Sequence, residues 1–391
     1  MKIALFTDTY LPTVNGISYA IHNWKEELES RGHEATIVCP APGSDEDDVT
    51  FASINFPFYQ GFRASVFPPV THDFSEYDVV HLNSFFGAGL YGMWAATKHN
   101  LPVVATVHTP IEEYLEYISS STLFQKFAYS IYHEWETYLI NKSNRCLTPT
   151  AAVRDEVKND VLQDIHVLSN GVDTEFFRPQ DDTAFREEFG IDDERVIGYT
   201  GRLGREKRLD ELIALADRFD GTILIGGDGP MREQYRNLAR GQDNVIFTGF
   251  IDRERLPELY SCLDIFVFPS RVETEGLVGL EANACGTPVV GADAGGLRNA
   301  IEDGRNGYHY EPGNVADLHD KIEKAYSSLD DLTAGAREAA NTKSLEQTVD
   351  RLLEHYGDVT ALDLDRGGRL RPPGLPVLRR PSLPFNPRSG D

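Results

Sequence analysis

Short apolar runs, each closed by a glycine-, proline- or asparagine-containing turn, recur along the chain and alternate with longer stretches of helical spacing. Residues 3–6, 36–39, 79–82, 103–107, 146–148 and 165–168 are such runs, and their near-continuous hydrophobicity predicts buried parallel strands. Between them, residues 17–31, 90–99 and 124–140 place apolar side chains at helical intervals. The pattern pauses over residues 174–194, a charged segment containing Pro179, and then restarts. Strands are predicted at 196–200, 222–225, 245–247, 264–268 and 287–290. Helices are predicted at 209–219, up to Leu263, and at 277–285, 314–328 and 344–357. A strand–loop–helix–strand order repeated in two blocks predicts an α/β protein of two doubly wound, Rossmann-like domains.

Three stretches read differently. Residues 41–50 form an acidic loop, and 54–70 is an aromatic, proline-broken segment. Residues 111–118 and 124–140 are rich in aromatics, among them Phe127, Tyr129, Tyr132, Trp135 and Tyr138, more than one core-facing stripe needs. Core packing accounts for most of these, and an exposed minority would suit a lipid acceptor. From Asp365 onward, arginine and proline replace periodicity, which predicts disorder. The expected division is 1–173 and 174–343 as the two domains, 344–360 as a helix returning to the first, and 361–391 as a tail. A basic tail could meet anionic lipid, at about 1 kcal/mol per cation near the surface; a dispensable extension fits equally.

Length and composition narrow the function. The 391 residues suffice for two cores, and 41% hydrophobic content excludes a wholly disordered chain. With 62 acidic against 37 basic residues the net charge is −25, a field that repels nucleic acid. Acidity spread along the whole chain is one signature of adaptation to high salt, where screening relieves self-repulsion. Cys39, Cys146, Cys262 and Cys285 lack a Cys-x-x-Cys pair and read as small buried residues rather than zinc ligands or disulfides. Residues 1–6 are too short an apolar run for a signal peptide, and no stretch reaches the length of a bilayer span. The expectation is a cytoplasmic protein, with peripheral attachment to the cell membrane left open.

The candidate chemistry sits at strand ends, where open α/β sheets form their ligand crevice. Glu273 follows the strand ending at Phe268, and Glu281 lies about a turn into the next helix. Gly276 permits close approach, and the backbone N–H groups of Leu277 and Val278 open that helix, suited to phosphate. Arg202 and Lys207 flank a glycine-containing loop after the strand ending at Thr200, suited to a diphosphate. His108 directly follows the 103–107 strand, facing the crevice; a lone histidine there is more often structural. Asn15-Gly16 can present N–H groups to a phosphate, or be an ordinary turn. Surface glutamates around a strand–helix turn remain the bland alternative for any one carboxylate, and less so for the constellation. The 11–16 loop lacks G-x-G-x-x-G, so dinucleotide binding there is unsupported, and the 201–207 loop is not a P-loop.

Taken together, these motifs resemble the retaining glycosyltransferases of family four, with the GT-B fold of two Rossmann-like domains facing a cleft. Glu273 and Glu281 match the E-x7-E motif, continued by Ala282 and by Cys285-Gly-Thr-Pro-Val-Val290. Thr200-Gly-Arg-Leu with Glu206-Lys207 matches the phosphate-binding segment, and Gly227-Asp-Gly-Pro230, Asn170-Gly-Val-Asp173 and Asn15-Gly16 follow in the usual places. The resemblance covers residues 1–357 and implies a UDP- or GDP-hexose donor and no cofactor or metal. It further implies Arg202 and Lys207 on the diphosphate, Glu273 on the transferred sugar, Glu281 on the ribose, and His108 lining the sugar site. Residues 108–118 are similar to glycolipid synthases acting on diacylglycerol-type lipids, which implies a lipid acceptor; a glycan acceptor, a catalytically silent nucleotide-binding subunit and a sugar-nucleotide epimerase are the alternatives. Two departures stand out. Glu275 replaces a usual aromatic and is expected to alter sugar selectivity, and Arg298-Asn299 replaces a usual Pro-Glu.

Overall fold

The computed structural model describes residues 1–13, 15–41, 48–55, 63–65, 72–108, 122–192 and 195–362. The expectations for 111–118 and for the tail beyond 362 lie outside the described residues, as does most of the 41–50 and 54–70 segments. The first domain contains β1 (Lys2–Phe6), β2 (Glu34–Pro40), β3 (Val49–Phe51), β4 (Ser53–Asn55), β5 (Arg63–Ser65), β6 (Val79–Leu82), β7 (Val103–Thr106), β8 (Arg145–Thr148) and β9 (Ile165–Val167). Its main sheet runs β3-β2-β1-β6-β7-β8-β9, every pair parallel. The second contains β10 (Val196–Thr200), β11 (Thr222–Gly226), β12 (Val245–Gly249), β13 (Ile265–Phe268), β14 (Val289–Ala292) and β15 (Gly307–Tyr310). Its sheet runs β12-β11-β10-β13-β14-β15, again parallel throughout.

Both sheets reverse direction of growth once, between β1 and β6 and between β10 and β13. At such a switch point the loops leaving the two central strands diverge, and a crevice opens at the strands' carboxyl ends. Most of the predicted strands are buried, as parallel sheets covered on both faces require, while the edge strands β9 and β12 are only half-buried. β1, β6, β7, β10, β11, β13 and β14 have scarcely an exposed residue among them.

The chain crosses between domains twice, side by side. Val172 N–H donates to Lys343 O at 3.0 Å and Leu345 N–H to Val172 O at 2.8 Å. Ser344 then caps the helix Leu345–Thr360 by accepting from Gln347 N–H, and this last helix lies on the first domain. Leu345, Val349, Leu352, Tyr356 and Val359 join Ile3, Leu5, Ile21, Trp24, Leu28 and Val104 in one core. Tyr356 Oη meets His81 Nδ1 at 2.7 Å, and Arg31 pairs with Asp350.

Several elements differ from expectation. The charged 174–194 segment holds a helix, Thr183–Phe189, because Phe185 and Phe189 anchor it on the second domain's core while its charges face water. The helix expected over 209–219 stops at Ile213, beyond which N–H groups of Leu215 and Ala216 turn to acceptors three residues back. Leu329–Asn341 was not foreseen, since it buries mostly small residues (Gly335, Ala336, Ala339, Ala340) whose apolar signal is weak. In Thr122–Lys142, Leu139 and Ile140 reach the core while Tyr129, Tyr132, Trp135 and Tyr138 stay half-buried; the side chains of Phe127 and Ile131 lie outside the described residues.

The packing of the last helix makes it part of the first domain's core rather than an appendage. Leu352→Ala should therefore cost about 2–5 kcal/mol, as for other fully buried leucines, with a matching drop in the denaturant midpoint.

Candidate active site

The two loops that diverge at the second domain's switch point carry opposite charges. The loop after β10 bears Arg202 and Lys207; the loop after β13 bears Glu273. Lys207 Nζ lies 2.5 Å from Glu273 Oε1, with the two side chains only 17% and 12% exposed. Burial pulls the Lys207 ammonium down, but Glu273, Tyr199 and Glu206 outweigh it and the net shift is upward. Lys207 is thus a fixed cation at neutral pH. Its backbone is fixed too, because Arg208 holds a left-handed φ of 52° while its guanidinium meets the buried Glu211 at 3.2 Å.

Glu273 is held by its main chain. Gly296 N–H donates to Glu273 O at 2.6 Å, and a side chain at Gly296 would stand 2.1 Å from Thr274 O, so that loop closes only on glycine. Gly276 has φ +76°, and an added Cβ would meet Phe268 at 2.9 Å. It caps the helix Leu277–Ala284; Gly279 and Leu280 donate to the Gly276 carbonyl, while the N–H groups of Leu277 and Val278 have no acceptor within the helix.

Glu281 stands apart from the Lys207–Glu273 pair. Tyr260 Oη donates to it at 2.6 Å, and desolvation pushes its carboxyl up to about 7 against the opposing pull of Tyr260 and Arg253. Arg253 stacks 4.5 Å over the Tyr19 ring and donates to Asn23 Oδ1 at 3.3 Å, so this corner is closed by the first domain's Gly16–Ser30 helix.

The first domain brings three expected residues. Asn15 caps the Gly16–Ser30 helix, accepting from Ser18 N–H at 2.9 Å and donating to Thr9 Oγ1 at 2.8 Å. Gly16 faces Leu277, where an added Cβ would lie 3.3 Å from Cδ1. His108 is 4% exposed at the end of β7; its Nε2 meets Asn83 Oδ1 at 3.0 Å, and Trp24 lies against the ring. Burial lowers His108 to about 4, opposed by the neighbouring Asn170 side chain, which stands outside good hydrogen-bond geometry to Nδ1. His108 is therefore a neutral imidazole at physiological pH.

The structure thus brings Lys207 and Glu273 into contact, sets Gly16 against Leu277, and puts Glu281 under Arg253 and Tyr19. Sequence reasoning missed Tyr199, Asn83, Arg253 and Tyr260; the last two lie in ordinary helical segments and carry no local signal. Glu275, expected to alter sugar selectivity, lies at the contact with the first domain. That carboxylate accepts from Ser169 Oγ at 2.5 Å, Asn170 N–H at 2.9 Å and Asn170 Nδ2 at 2.8 Å, so both oxygens are engaged by the other domain. Of the second departure, Arg298 pairs with Asp293 at 2.7 Å and Asn299 accepts from Ala152 N–H across the domains at 3.0 Å.

A lysine held charged by a neighbouring carboxylate, beside an open helix N-terminus, suits an enzyme that handles phosphorylated, hydroxyl-rich substrates. The family profile of the group 1 glycosyl transferases matches residues 181–342, and that of glycosyltransferase family 4 matches residues 14–176. A GDP-mannose-dependent alpha-mannosyltransferase of Corynebacterium glutamicum is 30% identical over 382 residues, covering 93% of this chain and 90% of that protein. An alpha-monoglucosyldiacylglycerol synthase of Streptococcus pneumoniae is 31% identical, covering 78% and 74%. Anabaena HepE, crystallised with UDP and glucose, superposes with a TM-score of 0.74 at 22% identity, over 92% of this chain and 100% of that one. The chain belongs to the group 1 glycosyltransferases, and its paired domains have the GT-B fold.

The raised Glu281 carboxyl has a consequence for stability. A folded pKa near 7 against an unfolded value near 4.5 means the folded state gains stability as pH falls from about 7 toward 4.5, and bears the cost of a buried charge above it. Glu281→Gln should raise Tm relative to wild type at pH 8 and lose that advantage at pH 5, as read by thermal unfolding at both pH values.

Proposed function

We propose that the protein moves a hexose from a UDP- or GDP-linked donor to a membrane lipid, keeping the anomeric configuration. The observation that carries the transfer reading is the buried Lys207–Glu273 pair at the switch point. Without substrate, Glu273 is the anion that keeps Lys207 charged and in place. An incoming diphosphate takes over Lys207, joined by Arg202 and by the first-turn N–H groups at Leu277 and Val278. Glu273 is then released to accept hydrogen bonds from the sugar's hydroxyls, and Glu281 those of the ribose.

Chemistry follows from charge development. The bond between the anomeric carbon and the terminal phosphate oxygen breaks, its electron pair leaving with the nucleoside diphosphate, where Lys207 and Arg202 stabilise the growing negative charge. The acceptor hydroxyl oxygen bonds to the oxocarbenium-like carbon on the face just vacated, and its proton passes to the departing phosphate. His108, neutral and held by Asn83, serves as a hydrogen-bonding wall of the sugar pocket. A lipid acceptor is supported by the relative named for making a glucosylated diacylglycerol. A second reading, mannosyl transfer from GDP-mannose to a glycan or lipid, is favoured by the relative that aligns over 93% of the chain. No helix among the described residues is long and apolar enough to cross a bilayer, so lipid contact would be at the surface.

The test supplies labelled UDP-glucose or GDP-mannose together with a lipid extract and counts label in the organic phase. Label there, from one of the two donors, is the expected result; label confined to water-soluble product contradicts the lipid acceptor. Lys207→Ala and Glu273→Ala should each lower transfer by roughly 100-fold or more, the scale of losing one preorganised charge-stabilising group, with circular dichroism unchanged.

A further inference from the structure

We propose that Glu275 is a positioning residue for sugar transfer, gripping the first domain's 169–170 turn and so setting the register between the Lys207–Glu273 pair and His108; this rests on the transferase reading above. The residues that the proposed function assigns to the nucleotide and its phosphates belong to the second domain, whereas His108 and the Asn15-Gly16 turn belong to the first. A transfer step needs both halves in one geometry, and a misplacement of about 1 Å costs on the order of 100-fold in rate.

Glu275 is placed to make that connection. It lies two residues from Glu273 and next to Gly276, on a loop whose backbone is locked by Gly296. It is 1% exposed, and among the described residues its three hydrogen-bond donors come from Ser169 and Asn170 of the other domain. Asn170 is itself tied to the first domain's interior: its carbonyl accepts from Trp24 Nε1 at 2.8 Å, Trp24 packs on His108, and its side chain neighbours His108. The path from Glu273 to His108 therefore runs through Glu275 and Asn170 with no solvent-exposed link. Thr150 Oγ1 adds a parallel tie by donating to Thr274 O at 2.8 Å.

The chemistry explains why a carboxylate serves here. Three donors converge on one group, and only an anion offers enough acceptor sites without a hydrogen of its own to clash. Burial raises the Glu275 carboxyl, while Ser169, Asn170 and Lys343 pull against that shift. An aromatic side chain at this position would leave the Ser169 hydroxyl and the Asn170 amide groups without their acceptor, which buried donors tolerate poorly.

The experiment compares wild type with Glu275→Gln and with the milder Ser169→Ala, measuring UDP and GDP affinity by calorimetry, kcat for transfer, and Tm. In parallel, spin labels at Leu162→Cys and Leu238→Cys, exposed positions in the two domains, report the interdomain distance; the four native cysteines are buried. Expected is a 10-fold or greater loss of kcat in Glu275→Gln, a smaller loss in Ser169→Ala, nucleotide affinity within twofold of wild type, and a broadened distance distribution. Unchanged kcat well below Tm overturns the proposal, as does a parallel loss of nucleotide affinity, which would make Glu275 part of the donor site. The distance measurement needs no turnover. If wild type transferred nothing, a broadened distribution would still support the joint, and an unchanged one would reject it independently of the transferase reading.

Discussion

The ion pair between Lys207 and Glu273 is where the two strands flanking a sheet's switch point deliver opposite charges to one spot. Either charge alone would carry a desolvation cost that its partner now offsets. In the proposed function they hold a site for an anion and a polyol in readiness, and a bound diphosphate would replace one partner of the pair rather than desolvate a naked lysine. The supporting features serve that economy. Arg208 in a left-handed conformation against Glu211 fixes one loop, and the backbone bond from Gly296 fixes the other.

Around this point the division of labour is uneven. The second domain is self-sufficient in the groups assigned to the nucleotide and its diphosphate. The first contributes a neutral histidine and a capped helix start, and depends on correct docking for its contribution to count. That docking is built from directional contacts: Glu275 with Ser169 and Asn170, Thr150 with Thr274, Asn299 with Ala152, and Arg253 over Tyr19. The returning helix Leu345–Thr360 adds a large apolar contact beside the crossover strands.

Much of this was legible in the sequence because it depends on local rules. Continuous apolar runs mark strands buried on both faces, and each is closed by a residue that cannot continue it, so strands such as Val79–Leu82 and Val196–Thr200 were placed to the residue. The helix Leu329–Asn341 escaped because its buried face is alanine and glycine, which carry little hydrophobic signal and pack by being small. In the site, Lys207, Glu273 and Gly276 were legible from their position after strands. Arg253, Tyr260 and Asn83 were not, since their roles come from partners 20 or more residues away in sequence. Glu275 shows the sharper limit. Its motif position suggests an effect on sugar selectivity, but where a carboxylate points depends on donors 105 residues away, which only the three-dimensional structure shows.

The most direct test of the central claim is a crystal structure of the protein with UDP or GDP bound. The account predicts the diphosphate at the switch point of the second domain, with Lys207 Nζ transferred from Glu273 to a phosphate oxygen and the ribose hydroxyls on Glu281. A diphosphate bound elsewhere, with the Lys207–Glu273 pair intact beside it, would contradict the account.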